Sequence, residues 1–316
     1  MYIFLAALGL ALLLALVALA CACRMLRNDM RRGKDCMDLS VPEAAANTRW
    51  APYAAEVSES IKRLRALPWE EVRISAAEGF PLRARLLRGT SGDTAILVHG
   101  YRSCGELDFA LTAEHYLELG FGLLMVDQRG HGGSGGKMVT MGLRESGDVR
   151  RWAEFAEREL GGRIWLHGVS LGGASVLYAA GRGLPGSVRG IIADSSFCSP
   201  EEAIRWQLKK HSRGLRLLRC MIGAAGTLCM GRGFTKGGLE RCVSRASQPM
   251  LFIMGGDDRS VPVDSGERLA AAAGQRGSLL VVPGAKHTTA WFRDYNACAA
   301  ALDGFIERNK YKRRLI

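Results

Sequence analysis

Apolar positions divide the chain into regimes. From Tyr2 to Ala22 no residue is charged, and a helix of that length rises roughly 32 Å against a bilayer core of ~30 Å. The run predicts a membrane-spanning anchor. Residues 35–68 are mixed polar and Ala-rich, which predicts a helical linker that lays Trp50, Tyr53, Ile61 and Leu64 on the domain and stops at Pro68. Alternating runs at Val72–Ser75 and Leu82–Leu86, separated by Glu78-Gly79-Phe80-Pro81, predict an antiparallel hairpin. Short apolar runs then recur at Ala95–Val98, Leu123–Val126, Ile164–Leu166, Gly190–Ala193, Met250–Met254 and Leu279–Val282. Between and after them, helical patterns are predicted over 106–119, 143–159, the stretch after Ser170, 263–273 and 292–308. Continuous apolar strands between helices predict a mostly parallel sheet covered on both faces. The break is 196–247, where no alternation is visible and Leu215–Met230 reads as helical. It is expected to cap the C-terminal edge of the sheet, where such sheets bind ligands. The expected division is an anchor (1–23), a basic flank and linker (24–68), a core in two parts (69–195 and 248–308), a helical cap (196–247) and a basic tail (309–316).

At 316 residues the chain has room for one large α/β domain and an appendage. Arg24, Arg27, Arg31, Arg32 and Lys34 follow the span and no Lys or Arg precedes it. The positive-inside rule then leaves the rest of the chain, on a single-pass anchor, on the cytoplasmic side. A cleaved signal peptide, or a lipid-attachment signal at Ala18-Leu19-Ala20-Cys21, would need a basic n-region that is absent. The nine cysteines (21, 23, 36, 104, 198, 220, 229, 242, 298) are odd in number and contain no C-x-x-C pair. They are expected to be reduced thiols in the cytoplasm. The net charge of +12 gathers after the span, at 199–246 and at Lys310, Lys312, Arg313 and Arg314. Anionic lipid headgroups and a merely solvated basic face account for it equally well. No nucleic-acid motif accompanies it, so no nucleic-acid partner is expected.

The chemistry gathers at predicted strand ends. Ile164-Trp165-Leu166 leads into Gly168-Val169-Ser170-Leu171-Gly172 and then an Ala-rich helical run. Strand, G-x-S-x-G, helix is the context in which a serine is held on a strained turn as a nucleophile. Ser170 is the candidate nucleophile, and the Leu171 N–H, at the helix N-terminus, is a candidate oxyanion donor. His99-Gly100-Tyr101 ends another strand, making the Tyr101 N–H the second donor and His99 a loop-holding residue. The polar loop Asp127–Ser134 is read as a tight loop held by Asp127 and Arg129, and Asp194 as lying too early for the acid. Asp258, three residues before Val261-Pro262, is the preferred acid, with Asp257 its rival as a loop cap. Of six histidines (99, 115, 131, 167, 211, 287) only His287 follows the acid. The order Ser170, Asp258, His287 is that of α/β-hydrolases. No metal or cofactor is expected.

HGY at 99–101, DQRGHGGSGG at 127–136, TMGLRESGDVRRW at 140–152, GVSLGG at 168–173, ADSSF at 193–197, GGDDRSVP at 255–262 and GAKH at 284–287 resemble one family. It is the membrane-anchored bacterial α/β-hydrolases of the serine aminopeptidase and monoacylglycerol-lipase-like branch. The likeness covers about residues 70–308. The family pattern His-Gly-x-x-Asp-x-x-Val-Pro puts the acid on Asp258, with Met254 standing where the family often has His. The resemblance implies an α/β-hydrolase fold and action on esters, acyl glycerols or peptides, with the cap, and so specificity, outside it. An acyl esterase on lipid-like or small carboxylic esters is the expected function. A peptidase or aminopeptidase, or an acyltransferase, would share the same triad, and a non-catalytic binding protein would share the fold.

Overall fold

The structure, a computed structural model, describes residues 1–31, 36–211, 216–231, 234–235, 238–262 and 264–311, with the backbone alone at 207–211 and 216–219. Arg32, Lys34, Arg213, Arg232, Lys236, Lys312, Arg313 and Arg314 therefore lie outside the described residues, as do the side chains of Lys209, Lys210, Arg216 and Arg219.

Eight strands form one sheet: β1 (Glu70–Ser75), β2 (Pro81–Leu87), β3 (Asp93–Val98), β4 (Gly122–Val126), β5 (Arg163–Val169), β6 (Val188–Asp194), β7 (Met250–Gly255) and β8 (Gly277–Val282). The helices in chain order are α1 (Tyr2–Asp29), α2 (Ala54–Arg65), α3 (Gly105–Asp108), α4 (Ala110–Glu118), α5 (Glu145–Glu159) and α6 (Leu171–Gly181). They continue with α7 (Pro200–His211), α8 (Arg216–Met230), α9 (Gly238–Arg245), α10 (Ser265–Ala273), α11 (Ala290–Arg293) and α12 (Tyr295–Asn309). The strand order is β1-β2-β4-β3-β5-β6-β7-β8. β1 and β2 form the expected hairpin and β2 meets β4 antiparallel, while every later pairing is parallel. This is the alpha/beta hydrolase fold.

The two-residue period of the strands explains why both faces are covered. Ile96 and Val98 of β3, Leu124 and Val126 of β4 and Leu166 of β5 enter one core, with α5, α6 and α10. Ala95 and Leu97, Leu123 and Met125, and Trp165 enter the other, with α4 and α12. Each fully buried Ile or Leu of this kind contributes about 1.5–3 kcal/mol through burial. β3 sits between β4 and β5, so successive connections leave it in opposite directions. The crevice at such a reversal, beyond the strand C-termini, is where open sheets of this kind take ligands.

Three expectations need correction. The helix predicted over 106–119 is split into α3 and α4 at Phe109, whose φ of −116° and ψ of 18° leave the helical region. The helix predicted over 292–308 is split into α11 and α12 at Asp294, whose carboxylate accepts the Ala297 N–H at 3.0 Å and caps α12. The cysteines are not all free thiols: Cys36 and Cys104, 5.5 Å apart between Cα atoms, form a disulfide across a separation of 68 residues. Sequence spacing misses this pair because the linker folds back over the domain. Trp50 packs edge-on to Phe292 at 5.4 Å, and Ile61 and Leu64 are buried, as expected of the linker.

α1 is long and apolar enough to cross a membrane by length and composition. Its residues from Tyr2 to Leu14 are exposed, whereas Ala22, Leu26 and Met30 are buried in the first core and the helix packs along α8. The Val139 N–H donates to the Met30 carbonyl at 2.7 Å and fastens the helix end to the core. Within 196–247 the described residues form α7, α8 and α9, without a strand.

Candidate active site

β5 ends at Val169 and α6 begins at Leu171, so Ser170 alone makes the turn, at φ 53° and ψ −111°. A non-glycine residue at positive φ is strained and persists only where its surroundings enforce it. Here the Ser170 N–H donates to the Asp194 carbonyl at 2.8 Å. The flanking glycines are required by contact: a Cβ at Gly168 would lie 2.2 Å from the Gly172 carbonyl oxygen, and one at Gly172 would lie 1.8 Å from that of Val98. Helix α6 therefore starts hard against the ends of β3 and β5.

The loops after β7 and β8 bring two more groups to this turn. His287 Nε2 lies 3.0 Å from Ser170 Oγ, and His287 Nδ1 lies 2.7 Å from Asp258 Oδ2. The other Asp258 oxygen, Oδ1, accepts the backbone N–H groups of Ser260 at 2.6 Å and Val261 at 3.1 Å. Burial alone would raise the Asp258 pKa, but the His287 charge and hydrogen bond, with the two N–H donors, outweigh it and hold the carboxyl below its ordinary value. An ionised carboxylate only accepts, so the imidazole proton sits on Nδ1 and the Nε2 lone pair faces the serine hydroxyl. Asp257 is exposed and points its N–H to the Ala285 carbonyl at 2.9 Å. The structure thus joins Ser170, His287 and Asp258, and leaves Asp257 outside.

The turn after β3 supplies the facing wall. The Asp108 carboxylate accepts the Gly100 N–H at 2.6 Å and the Ser103 hydroxyl at 2.7 Å, bracing residues 100–103. His99 has the structural part expected of it: Nε2 accepts the Gln128 N–H at 3.1 Å while Nδ1 donates to the Gly100 carbonyl at 2.7 Å. Gly100, Tyr101, Ser170 and Leu171 all line one cleft. Leu171, as the first residue of α6, has an N–H without an acceptor inside the helix. The Tyr101 hydroxyl, in contrast, points away to the carbonyl of Asp29 at the end of α1. Burial, then the Asp29 charge, push its pKa up to about 12, so it stays a neutral donor.

The polar loop after β4 is structural, as expected. Arg129 pairs with Asp148 at 2.6 Å and Glu78 at 2.8 Å, and Asp127 accepts the Gly133 N–H at 2.8 Å. Asp194 is buried beneath the site rather than facing it. Its Oδ1 accepts the Ser195 hydroxyl at 2.7 Å, and desolvation pushes its pKa up to about 7.

Three contributors had no usable sequence signal. Asp108 is an ordinary helical carboxylate until the fold sets it under Gly100. Arg49, from the linker, donates through Nε to Thr288 Oγ1 at 3.1 Å, beside His287, and lines the cleft. The end of α1 also lines it, through Met25, Leu26, Asn28, Asp29 and Met30. The cleft has a volume of about 850 Å³, within the range of small-molecule sites. Among the described residues no cluster of His, Cys, Asp and Glu is arranged to hold a metal ion.

Comparison with known proteins agrees with this architecture. A family model described as alpha/beta hydrolase fold matches residues 95–219. The uncharacterized protein YqkD of Bacillus subtilis (strain 168) is 25% identical over 219 residues, covering 68% of this chain and 71% of its own. The uncharacterized protein YfhR of Escherichia coli (strain K12) is 27% identical over 236 residues, covering 71% and 76%. Among solved structures, the esterase Pf2001 of Pyrococcus furiosus superposes with a TM-score of 0.64 at 20% identity, over 79% of this chain and 95% of that one. Est1E of Butyrivibrio proteoclasticus, solved with ferulic acid, gives 0.57 at 20% identity, over 76% and 100%. At these identities the solved structures speak for the fold.

Proposed function

We propose that this chain of the alpha/beta hydrolase fold is a serine hydrolase that cleaves acyl esters through an acyl-enzyme. The observation that carries the reading is the unbroken relay of Asp258 Oδ2 to His287 Nδ1 at 2.7 Å and His287 Nε2 to Ser170 Oγ at 3.0 Å. His287 takes the Ser170 proton as Oγ attacks the acyl carbon, and Asp258 fixes the imidazole tautomer and steadies the imidazolium. The N–H groups of Tyr101 and Leu171 receive the oxyanion. The imidazolium proton then goes to the leaving alkoxide, and water, deprotonated by His287, releases the acid and restores the serine. The proposed substrates are lipid-like or small carboxylic esters, because the cleft combines this polar corner with Met141, Phe197, Ile204 and Val261.

We further propose that α1 anchors the chain in a membrane, with the core in two parts, the cap at 196–247 and the linker arranged as the sequence divides them. The basic flank at Arg24, Arg27 and Arg31 favours a cytoplasmic domain. The Cys36–Cys104 bond pulls the other way, since disulfides persist on the oxidising side. We place the domain on the cytoplasmic side on the strength of the flank, and the accessibility of Cys220 decides between the two.

The test is turnover by the full chain in detergent. Hydrolysis of p-nitrophenyl butyrate that is lost in Ser170→Ala supports the reading. Cleavage of aminoacyl amides in place of esters would make the chain a peptidase on the same groups, and ester turnover that survives Ser170→Ala would remove Ser170 from the chemistry.

A further inference from the structure

One wall of the cleft that holds Ser170 comes from the apolar helix. Met25, Leu26, Asn28, Asp29 and Met30, in the last turns of α1, line it. The uncharged run of α1 ends at Cys23 and Arg24 follows it. Met25 is two residues beyond that end, which is about 3 Å along a helix axis. Residues 2–21 would rise about 30 Å, the thickness of a bilayer core, exposed all round as far as Leu14 and packed on one side against the domain by Leu19. If that run is embedded, the wall of the cleft begins where the helix leaves the hydrocarbon.

The helix end is also fixed to the domain, so this spacing is built in. Leu26 is 1% and Met30 2% exposed. Tyr101 donates its hydroxyl to the Asp29 carbonyl, Arg102 Nη2 donates to the same oxygen at 3.3 Å, and the Val139 N–H holds the Met30 carbonyl at 2.7 Å. Helix α8 of the 196–247 region packs along α1 and leaves Leu228 69% exposed on its outer side. An exposed leucine on the helix beside α1 adds apolar surface next to the span.

We infer that the inner end of α1 is part of the substrate site. On this account the substrate is an ester resident in the bilayer, its acyl chain lying against Met25, Leu26 and Met30 while its carbonyl reaches Ser170. The inference rests on the serine-hydrolase reading and narrows it: an acyl chain that stays against apolar surface on its way from lipid to cleft avoids exposing its methylenes to water. A soluble short-chain ester gains nothing from that path.

The test uses the full chain in phosphatidylcholine vesicles, with p-nitrophenyl butyrate added in water and a hexadecanoyl p-nitrophenyl ester carried in the bilayer. The readout is the ratio of the two kcat/KM values, which does not depend on the fraction of folded enzyme. Fluorophosphonate labelling of Ser170 in the wild type is measured alongside. The account predicts a ratio favouring the bilayer ester, reduced about tenfold by Met25→Trp, which narrows the wall, and shifted by Asn28→Trp at the exposed rim. A labelled enzyme whose ratio favours the soluble ester, or is unmoved in both variants, overturns this inference and leaves the hydrolase reading standing. A wild type that is never labelled at Ser170 overturns both.

Discussion

Ser195 and Thr288, 93 residues apart in the chain, meet where the Ser195 hydroxyl accepts the Thr288 N–H at 3.1 Å while donating to the Asp194 carboxylate at 2.7 Å. Thr288 follows His287 directly, so the loop that carries the imidazole is tied down through a single hydroxyl to a buried acid.

That acid gives a pH signature. The folded pKa of Asp194 is raised to about 7, above the ~3.9 of an unfolded chain. Between these values the folded state keeps a proton that the unfolded state has lost, so this group's contribution to stability is full below pH ~4 and falls as pH rises to about 7. Asp194→Asn is expected to flatten the decline in melting temperature across that window. Parallel wild-type and variant curves would contradict the assignment.

Asp258 and Asp257 are adjacent but differently placed, one buried against His287 and the other exposed. Asp258→Asn is predicted to lower kcat about 10⁴-fold by favouring the wrong imidazole tautomer, and Asp257→Asn to leave it within about twofold. Because the Asp258 pKa is depressed, its contribution to stability is present above the unfolded pKa of ~3.9 and is lost as pH falls through the folded value. Steady-state kinetics of the two variants decide between the carboxylates.

Two further variants separate architecture from chemistry. Gly172→Ala would drive a Cβ to 1.8 Å from the Val98 carbonyl oxygen, a backbone atom that cannot swing aside. A loss of more than about 3 kcal/mol is expected, seen as poor folding yield or a much lower denaturation midpoint. Arg129→Met leaves Asp148 buried without its partner, with an expected cost of about 3–5 kcal/mol.

Orientation can be read from Cys220, which is exposed on α8, whereas Cys298 is buried and Cys104 is bonded. A membrane-impermeant maleimide is predicted to miss Cys220 in intact cells and to label it after lysis. Labelling in intact cells would put the domain on the oxidising side, where the Cys36–Cys104 bond persists.

The sequence exposed most of this fold because the parallel strands are apolar throughout and each motif lies at a strand end. Ser170 is marked by glycines that sterics demand, and His287 by being the only histidine after the acid. What stayed hidden depends on contacts between distant segments. Nothing local announces that Asp108 braces Gly100, that Arg49 reaches Thr288, or that Cys36 meets Cys104. The apolar run of α1 was legible as a long helix, because hydropathy reports what a segment avoids. That Met25 and Leu26 also line the cleft depends on how α1 docks, which hydropathy does not encode.

The central claim is that Ser170 is a nucleophile activated by His287. Treating the purified full chain with a fluorophosphonate probe and mapping the adduct by peptide mass tests it most directly. The account predicts one modified residue, Ser170, with labelling abolished in Ser170→Ala and strongly slowed in His287→Ala. An adduct on another serine, or undiminished labelling of Ser170→Ala, would contradict it.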